Sequence, residues 1–126
     1  MKIGMIPGSG GSARLAKMIG ISRTKNIIMR GKRLSGEEAF QLGIACEVVE
    51  KSELENMTKK IVKELLGVSP LAQRTIKSVL NATQNATLHT SIDLEGEAYG
   101  RLRSSNDFKE GVKSFSEKRP PSYKGN

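Results

Sequence analysis

Tryptophan is absent from the 126 residues, cysteine and histidine occur once each, and the aromatic side chains come to five, three Phe and two Tyr. A lone Cys46 cannot close an internal disulfide, which points to a reducing setting such as the cytoplasm. With no His, Lys or Arg cluster beside it in sequence, Cys46 reads as a small buried hydrophobe rather than a nucleophile. A lone His89, without a second ligand or a suitably spaced nucleophile, argues against a metal site and against a catalytic triad, and reads as a surface or structural histidine. Long apolar runs are missing too: nothing approaches the ~18 residues of a membrane span, and Met1-Lys2-Ile3-Gly4 opens no run of signal-peptide length. Acidic residues are the scarcer charge, 13 Asp and Glu against 21 Lys and Arg, for a net charge of +8. Such an excess admits an anionic partner, but the basic residues are dispersed, few aromatics are available for base stacking, and no nucleic-acid motif is spelled out. An anionic cofactor or a solvated basic surface accounts for the excess without nucleic acid.

What is present begins with Gly4-Met5-Ile6-Pro7-Gly8-Ser9-Gly10-Gly11-Ser12-Ala13-Arg14-Leu15, a glycine-rich loop leading into an apolar-periodic segment. Gly8, Gly10 and Gly11 can take positive φ and leave room for a ligand to approach backbone N–H groups at a helix start. Gly8-Ser9-Gly10-Gly11-Ser12-Ala13 spells the dinucleotide fingerprint G-x-G-x-x-A, but the lead-in Ile3–Ile6 is short, Pro7 interrupts it, and positions 22–36 hold no acidic residue for a ribose. A phosphate-binding P-loop requires Gly-Lys-Ser/Thr, and the chain has Gly11-Ser12-Ala13. A tight turn with no ligand also fits.

Apolar spacing gives a mainly α chain with one or two short β strands. Short helices are expected from Gly11 to Ile19, from a cap at Ser22 to near Gly31, and from a Ser35/Glu38 capping box to Gly43. Ile44-Ala45-Cys46-Glu47-Val48-Val49 reads as the one convincing strand, and a solitary strand needs a pairing partner from outside this chain. Longer helices follow: one opened by Ser52/Glu55 and closed by Gly67, one capped by Ser69 with Pro70 at its first turn, one from about Thr87 to Arg103, and one from Asn106 to Glu117. Met18, Met29 and Met57 read as core filler, and Glu95 and Glu97, two apart on a helix, face different directions and form no acid–base pair.

The last segment pairs aromatics with cations. Phe115 and Lys118 are three apart, neighbours on one helix face; a ring can stack on adenine while an ammonium holds a phosphate, though Phe115 reads equally as a packed helix end.

The glycine loop resembles the G-x-x-P-G-x-G-G-x-x-R-L signature of the enoyl-CoA hydratase/isomerase (crotonase) superfamily. Gly31-Lys32-Arg33-Leu34-Ser35-Gly36-Glu37-Glu38-Ala39 is similar to that family's G-x-x-hydrophobic-S/T-A-x-x-A, and Leu42-Gly43-Ile44-Ala45-Cys46-Glu47-Val48-Val49 to its G-L-V-x-x-V-V. Phe108-Lys109-Glu110-Gly111-Val112-Lys113-Ser114-Phe115-Ser116-Glu117-Lys118-Arg119-Pro120 is similar to its E-G-x-x-A-F-x-E-K-R-x-P ending. Four motifs in order cover nearly the whole chain, and they match the second half of the family pattern.

The resemblance implies the C-terminal part of a crotonase-like α/β superhelix in residues 1–66, and a helical oligomerisation and CoA-binding region in 67–126. It implies acyl-CoA as substrate with no covalently bound cofactor, a backbone N–H of Gly8 on the catalytic water, and Phe115 and Lys118 on coenzyme A, often across a subunit boundary. It also implies that the oxyanion hole and both catalytic glutamates lie in sequence this chain does not contain, so that hydration of trans-2-enoyl-CoA is not expected of it alone. Partners expected on this basis are copies of itself, as a trimer or dimer of trimers, or an N-terminal partner half. A non-enzymatic helical assembly module stays open, and so does a dinucleotide-binding fragment.

Overall fold

A computed structural model describes residues 4–126, and the short apolar lead-in Ile3–Ile6 falls partly outside them. The described residues are helical and form two compact units, one ending at Leu54 and one running from Glu55 to Asn126.

In the first unit α1 spans Gly11–Ile19, α2 Ile21–Met29 and α3 Gly36–Gln41, and a 3-10 turn over Lys51–Glu53 closes the unit. Helices α1 and α2 pack together, with Ile19 and Thr24 buried. Their junction is Gly20 at φ 83°, whose carbonyl accepts from the Thr24 hydroxyl at 2.9 Å. That junction corrects the expected cap: Gly20 stands at the N-cap of α2, and Ser22 lies inside the helix. The Ser35/Glu38 capping box is present as expected, with the Ser35 hydroxyl accepting from Glu38 N–H (3.1 Å) and Glu38 Oε2 accepting from Ser35 N–H (2.8 Å). The reciprocal bond holds the Glu38 carboxyl below its usual range.

Residues 44–49 form no strand: no described residue pairs with them in a ladder, and a strand without a ladder leaves its backbone groups unpartnered. Cys46 is exposed rather than buried. Met18 and Met29 are exposed as well, so neither is core filler among the described residues.

The second unit holds α4 (Leu54–Leu66, whose first residue ends the first unit), α5 (Pro70–Thr83), α6 (Leu88–Arg103) and α7 (Asn106–Ser116). Helix α4 follows directly on the 3-10 turn that contains Ser52, so Ser52 does not stand at its cap. Ser69, Thr87 and Ser105 cap α5, α6 and α7 by accepting from Ala72, Thr90 and Phe108 N–H, and Pro70 occupies the first turn of α5, where its missing N–H is harmless. Helices α5 and α6 pack side by side and bury Ala98.

The tail after α7 folds back on this unit. Asp107, 4% exposed, accepts from the Ser69 hydroxyl (2.6 Å) and from Lys124 and Gly125 N–H (2.9 and 3.0 Å), while its own N–H donates to Asn126 O (3.0 Å). One carboxylate thereby joins the cap of α5 to the start of α7 and to the chain end. The Ser69 bond, with the two backbone donors, keeps Asp107 more acidic than usual against the opposing effect of burial.

Few apolar side chains are covered: Ile19 and Ala98 are the buried hydrophobic residues among those described. Leu80, Leu88, Ile92 and Tyr99 of α5 and α6 stay more than half exposed. The helical stripes are therefore present, but this chain does not use most of them for its own core.

Candidate functional site

The glycine loop ends at α1. Ser9 and Gly10 take consecutive left-handed conformations, φ 55° and 83°, and Gly10 stands at the helix cap, its carbonyl accepting from Arg14 N–H at 2.9 Å. Of the three glycines expected to supply positive φ, only Gly10 does; Ser9 supplies the other, and Gly11 is already helical. A side chain at Gly11 would crowd Pro7, whose Cβ would lie 3.3 Å away. Gly8 is different: its φ is ordinary, and a Cβ there would meet nothing within 4 Å. Neither backbone conformation nor packing among the described residues calls for glycine at position 8. Residues 4–7 ahead of the loop are irregular, and the strand that a dinucleotide fingerprint requires is absent among the described residues.

In the second unit the sequence pointed to the end of α7. Phe115 is 88% exposed, so it is not a packed helix end within this chain. Lys118 does not continue the helix face as its spacing suggested. It sits past the end of α7 in a left-handed conformation, φ 53°, with its N–H donating to Phe115 O at 3.2 Å. The two residues are joined by this backbone bond of the turn rather than by the helical period.

The turn is held by a residue the sequence reading did not single out. Arg119 grips both oxygens of Glu110, Nη1–Oε1 at 2.6 Å and Nη2–Oε2 at 2.9 Å, and its Nε donates to Glu117 Oε2 at 2.6 Å. Glu110 Oε1 also accepts from Ser122 N–H at 2.8 Å. The guanidinium, aided by that N–H, brings the Glu110 carboxyl down to about 2 and makes Arg119 harder to deprotonate. The available signal was Glu110 and Arg119 nine residues apart, a separation that meets only because the chain reverses after α7.

Beside Phe115 runs a groove of ≈ 540 Å³ whose lining includes Tyr99, Arg103, Phe108, Val112 and Tyr123. Arg103 lies over the Tyr99 ring, 5.9 Å from its centroid. Tyr123 packs closely over Gly111, where a Cβ would stand 3.3 Å from its hydroxyl. The other residues considered from sequence lie elsewhere. His89 is exposed on α6, 3.7 Å from Asp93, while Glu95 and Glu97 line two separate hollows.

The first unit thus offers a glycine loop that opens a helix, and the second an exposed phenylalanine followed by a left-handed lysine at a helix end. The chain belongs to the enoyl-CoA hydratase/isomerase family, whose sequence pattern matches residues 1–126. It is 32% identical over 117 residues to a short-chain-enoyl-CoA hydratase of Clostridium acetobutylicum, covering 93% of this chain and 45% of that protein. It is 34% identical over 128 residues to a mitochondrial methylglutaconyl-CoA hydratase of Mus musculus, covering 98% and 41%. The crystal structure of an enoyl-CoA hydratase from Bacillus anthracis superposes with a TM-score of 0.96 at 35% identity, over 99% of this chain and 48% of that one. The chain thus spans about half the length of the relatives it matches. The helical architecture is that of the C-terminal part of this fold.

Proposed function

We propose that this chain is the C-terminal portion of an enzyme acting on acyl-CoA thioesters, with hydration of a trans-2-enoyl-CoA as the reaction and the thioester as a non-covalently bound substrate. In this reading Phe115 stacks on the adenine and Lys118 holds a phosphate, while the backbone N–H of Gly8 helps hold the water that adds across the double bond. The observation that carries it is the end of α7, where a phenylalanine 88% exposed stands one turn from a lysine held outside the helical conformation.

Titration calorimetry of the chain with coenzyme A tests the reading. Binding that weakens in F115A and in K118A supports it; absence of binding, or binding indifferent to both substitutions, refutes it. The groups that move protons, the oxyanion hole and two glutamates, belong in this reading to sequence outside the 126 residues. The chain alone therefore does not hydrate crotonyl-CoA, and turnover above background in a hydration assay would contradict that division of labour.

A second reading rests on the uncovered stripe of α5 and α6, where Leu88 is 77% and Leu80 59% exposed. Apolar surface of this kind is used in association, and the chain on this reading assembles with copies of itself, as a trimer or dimer of trimers, or with an N-terminal partner half. Multi-angle light scattering of the chain, with and without such a partner, separates these states from a monomer.

A further inference from the structure

Three helices of this chain end with the same pair of backbone bonds. After α2, Gly31 N–H donates to Ile28 O and Lys32 N–H to Ile27 O, both at 3.0 Å; after α3, Gly43 N–H donates to Phe40 O (2.9 Å) and Ile44 N–H to Ala39 O (2.8 Å). After α7, Lys118 N–H donates to Phe115 O (3.2 Å) and Arg119 N–H to Ser114 O (3.1 Å). This closure puts one residue in the left-handed region, and glycine is the residue that accepts it without a steric cost. Gly31 and Gly43 do so at φ 58° and 72°, whereas the third position, φ 53°, is Lys118. A lysine keeps a left-handed conformation only where its surroundings fix the chain on either side.

Those surroundings are present. Before Lys118, Glu117 is tied to Arg119 Nε; after it, Arg119 reaches back along α7 to both oxygens of Glu110, and Ser122 N–H is bound to the same carboxylate. The Arg119 Nη1 also donates to Pro120 O at 3.1 Å. The backbone on both sides of Lys118 is thus anchored to one helix by a planar fork with fixed geometry.

We propose that Arg119, through its fork to Glu110 and Glu117, is a positioning residue for coenzyme A binding: it holds Lys118 in the left-handed turn that follows Phe115 and so fixes the backbone from which the ammonium reaches the ligand. The inference rests on the reading of Phe115 and Lys118 as the nucleotide-binding pair. In this inference Arg119 does not itself contact the ligand: four of its five side-chain donors go to two carboxylates and a carbonyl.

The test is calorimetric titration of the chain with coenzyme A, with a melting curve for each variant. Arg119→Gln and Glu110→Gln each weaken binding about 5- to 30-fold, the population ratio that corresponds to the cost of a left-handed non-glycine residue. Arg119→Lys behaves like Arg119→Gln, because an ammonium keeps the charge and loses the fork. In a double-mutant cycle, Arg119→Gln causes no further loss once Lys118 is Ala, since there is no ammonium left to position. Unchanged affinity in Arg119→Gln or full affinity in Arg119→Lys overturns the proposal. Losses that add in the Lys118→Ala background also overturn it, because they assign Arg119 a direct contact or a general loosening. Should Arg119→Gln not fold, Glu110→Gln releases the same grip from the other side and decides alone. A native chain that fails to bind coenzyme A, or binds it equally well as F115A, brings down the underlying reading; intact binding that depends on Phe115 and ignores Arg119 brings down this inference only.

Discussion

Replacing Lys118 by glycine should make the chain more stable and a poorer ligand binder at once. Lys118 holds φ 53° in a turn whose counterparts at α2 and α3 use Gly31 and Gly43. A left-handed conformation costs an L-residue about 1–2 kcal/mol, and the added freedom of a glycine in the unfolded chain returns about 0.4–1 kcal/mol of that gain. The net is about 0.5–1 kcal/mol of stabilisation, a rise of roughly 2–6 °C in melting midpoint for a domain of this size. Binding moves the other way. A charge-assisted hydrogen bond from an ammonium to a phosphate contributes about 1.5–3 kcal/mol, so K118G should raise the Kd for coenzyme A about 10- to 150-fold. Thermal melts by far-UV circular dichroism and calorimetric titration read the two effects on the same sample. A midpoint that falls would refute the reasoning about strain, and an unchanged Kd would refute the role of the ammonium.

Three further outcomes follow from the geometry. The Glu110 pKa is depressed from its ordinary 4.5 to about 2 in the folded chain, so its stabilisation is fully present above pH 4.5 and is lost as the pH falls toward 2; Asp107 shifts in the same direction. Melting midpoints taken across that window should decline for the native chain and decline less for E110Q, and parallel declines would contradict the ion pair as the source. S105A should cost about 1 kcal/mol as a lost helix cap, and S69A should cost more, since the Ser69 hydroxyl donates to the buried Asp107 carboxylate whereas that of Ser105 donates to the neutral Leu102 carbonyl; equal losses in denaturant titrations would count against the extra weight of the bond to the carboxylate. G10A forces a β-carbon into φ 83° and should cost about 1–2 kcal/mol by the same titration, while G8A, where φ is ordinary and the space is open, should leave stability unchanged.

Features decided within four or five residues could be read from the chain alone. Gly11–Ile19 emerged as a helix from its apolar spacing and the glycine after it, and Ser35 with Glu38 announced a capping box that needs no distant partner. Ser22 and Ser52 carried the same kind of signal and did not cap, because Gly20 and a 3-10 turn had already set the helix starts. Cys46 and the segment around it depend on what lies over them, which no local pattern encodes. The candidate site divides the same way. Phe115 and Lys118 could be picked out as an aromatic and a cation, but the left-handed turn between them could not, because the residue in it is lysine where glycine would have marked it. Arg119 was hidden for a related reason: its partner Glu110 is reached only after the chain reverses, and sequence separation says nothing of that return.

Whether the end of α7 meets a CoA nucleotide decides the proposed function. Following backbone amide resonances of the chain while coenzyme A is added tests this most directly. Saturable shifts concentrated at Phe115, Lys118 and Arg119, lost in K118A, are expected. Saturable shifts confined to other helices, or no shifts at all, would contradict that function.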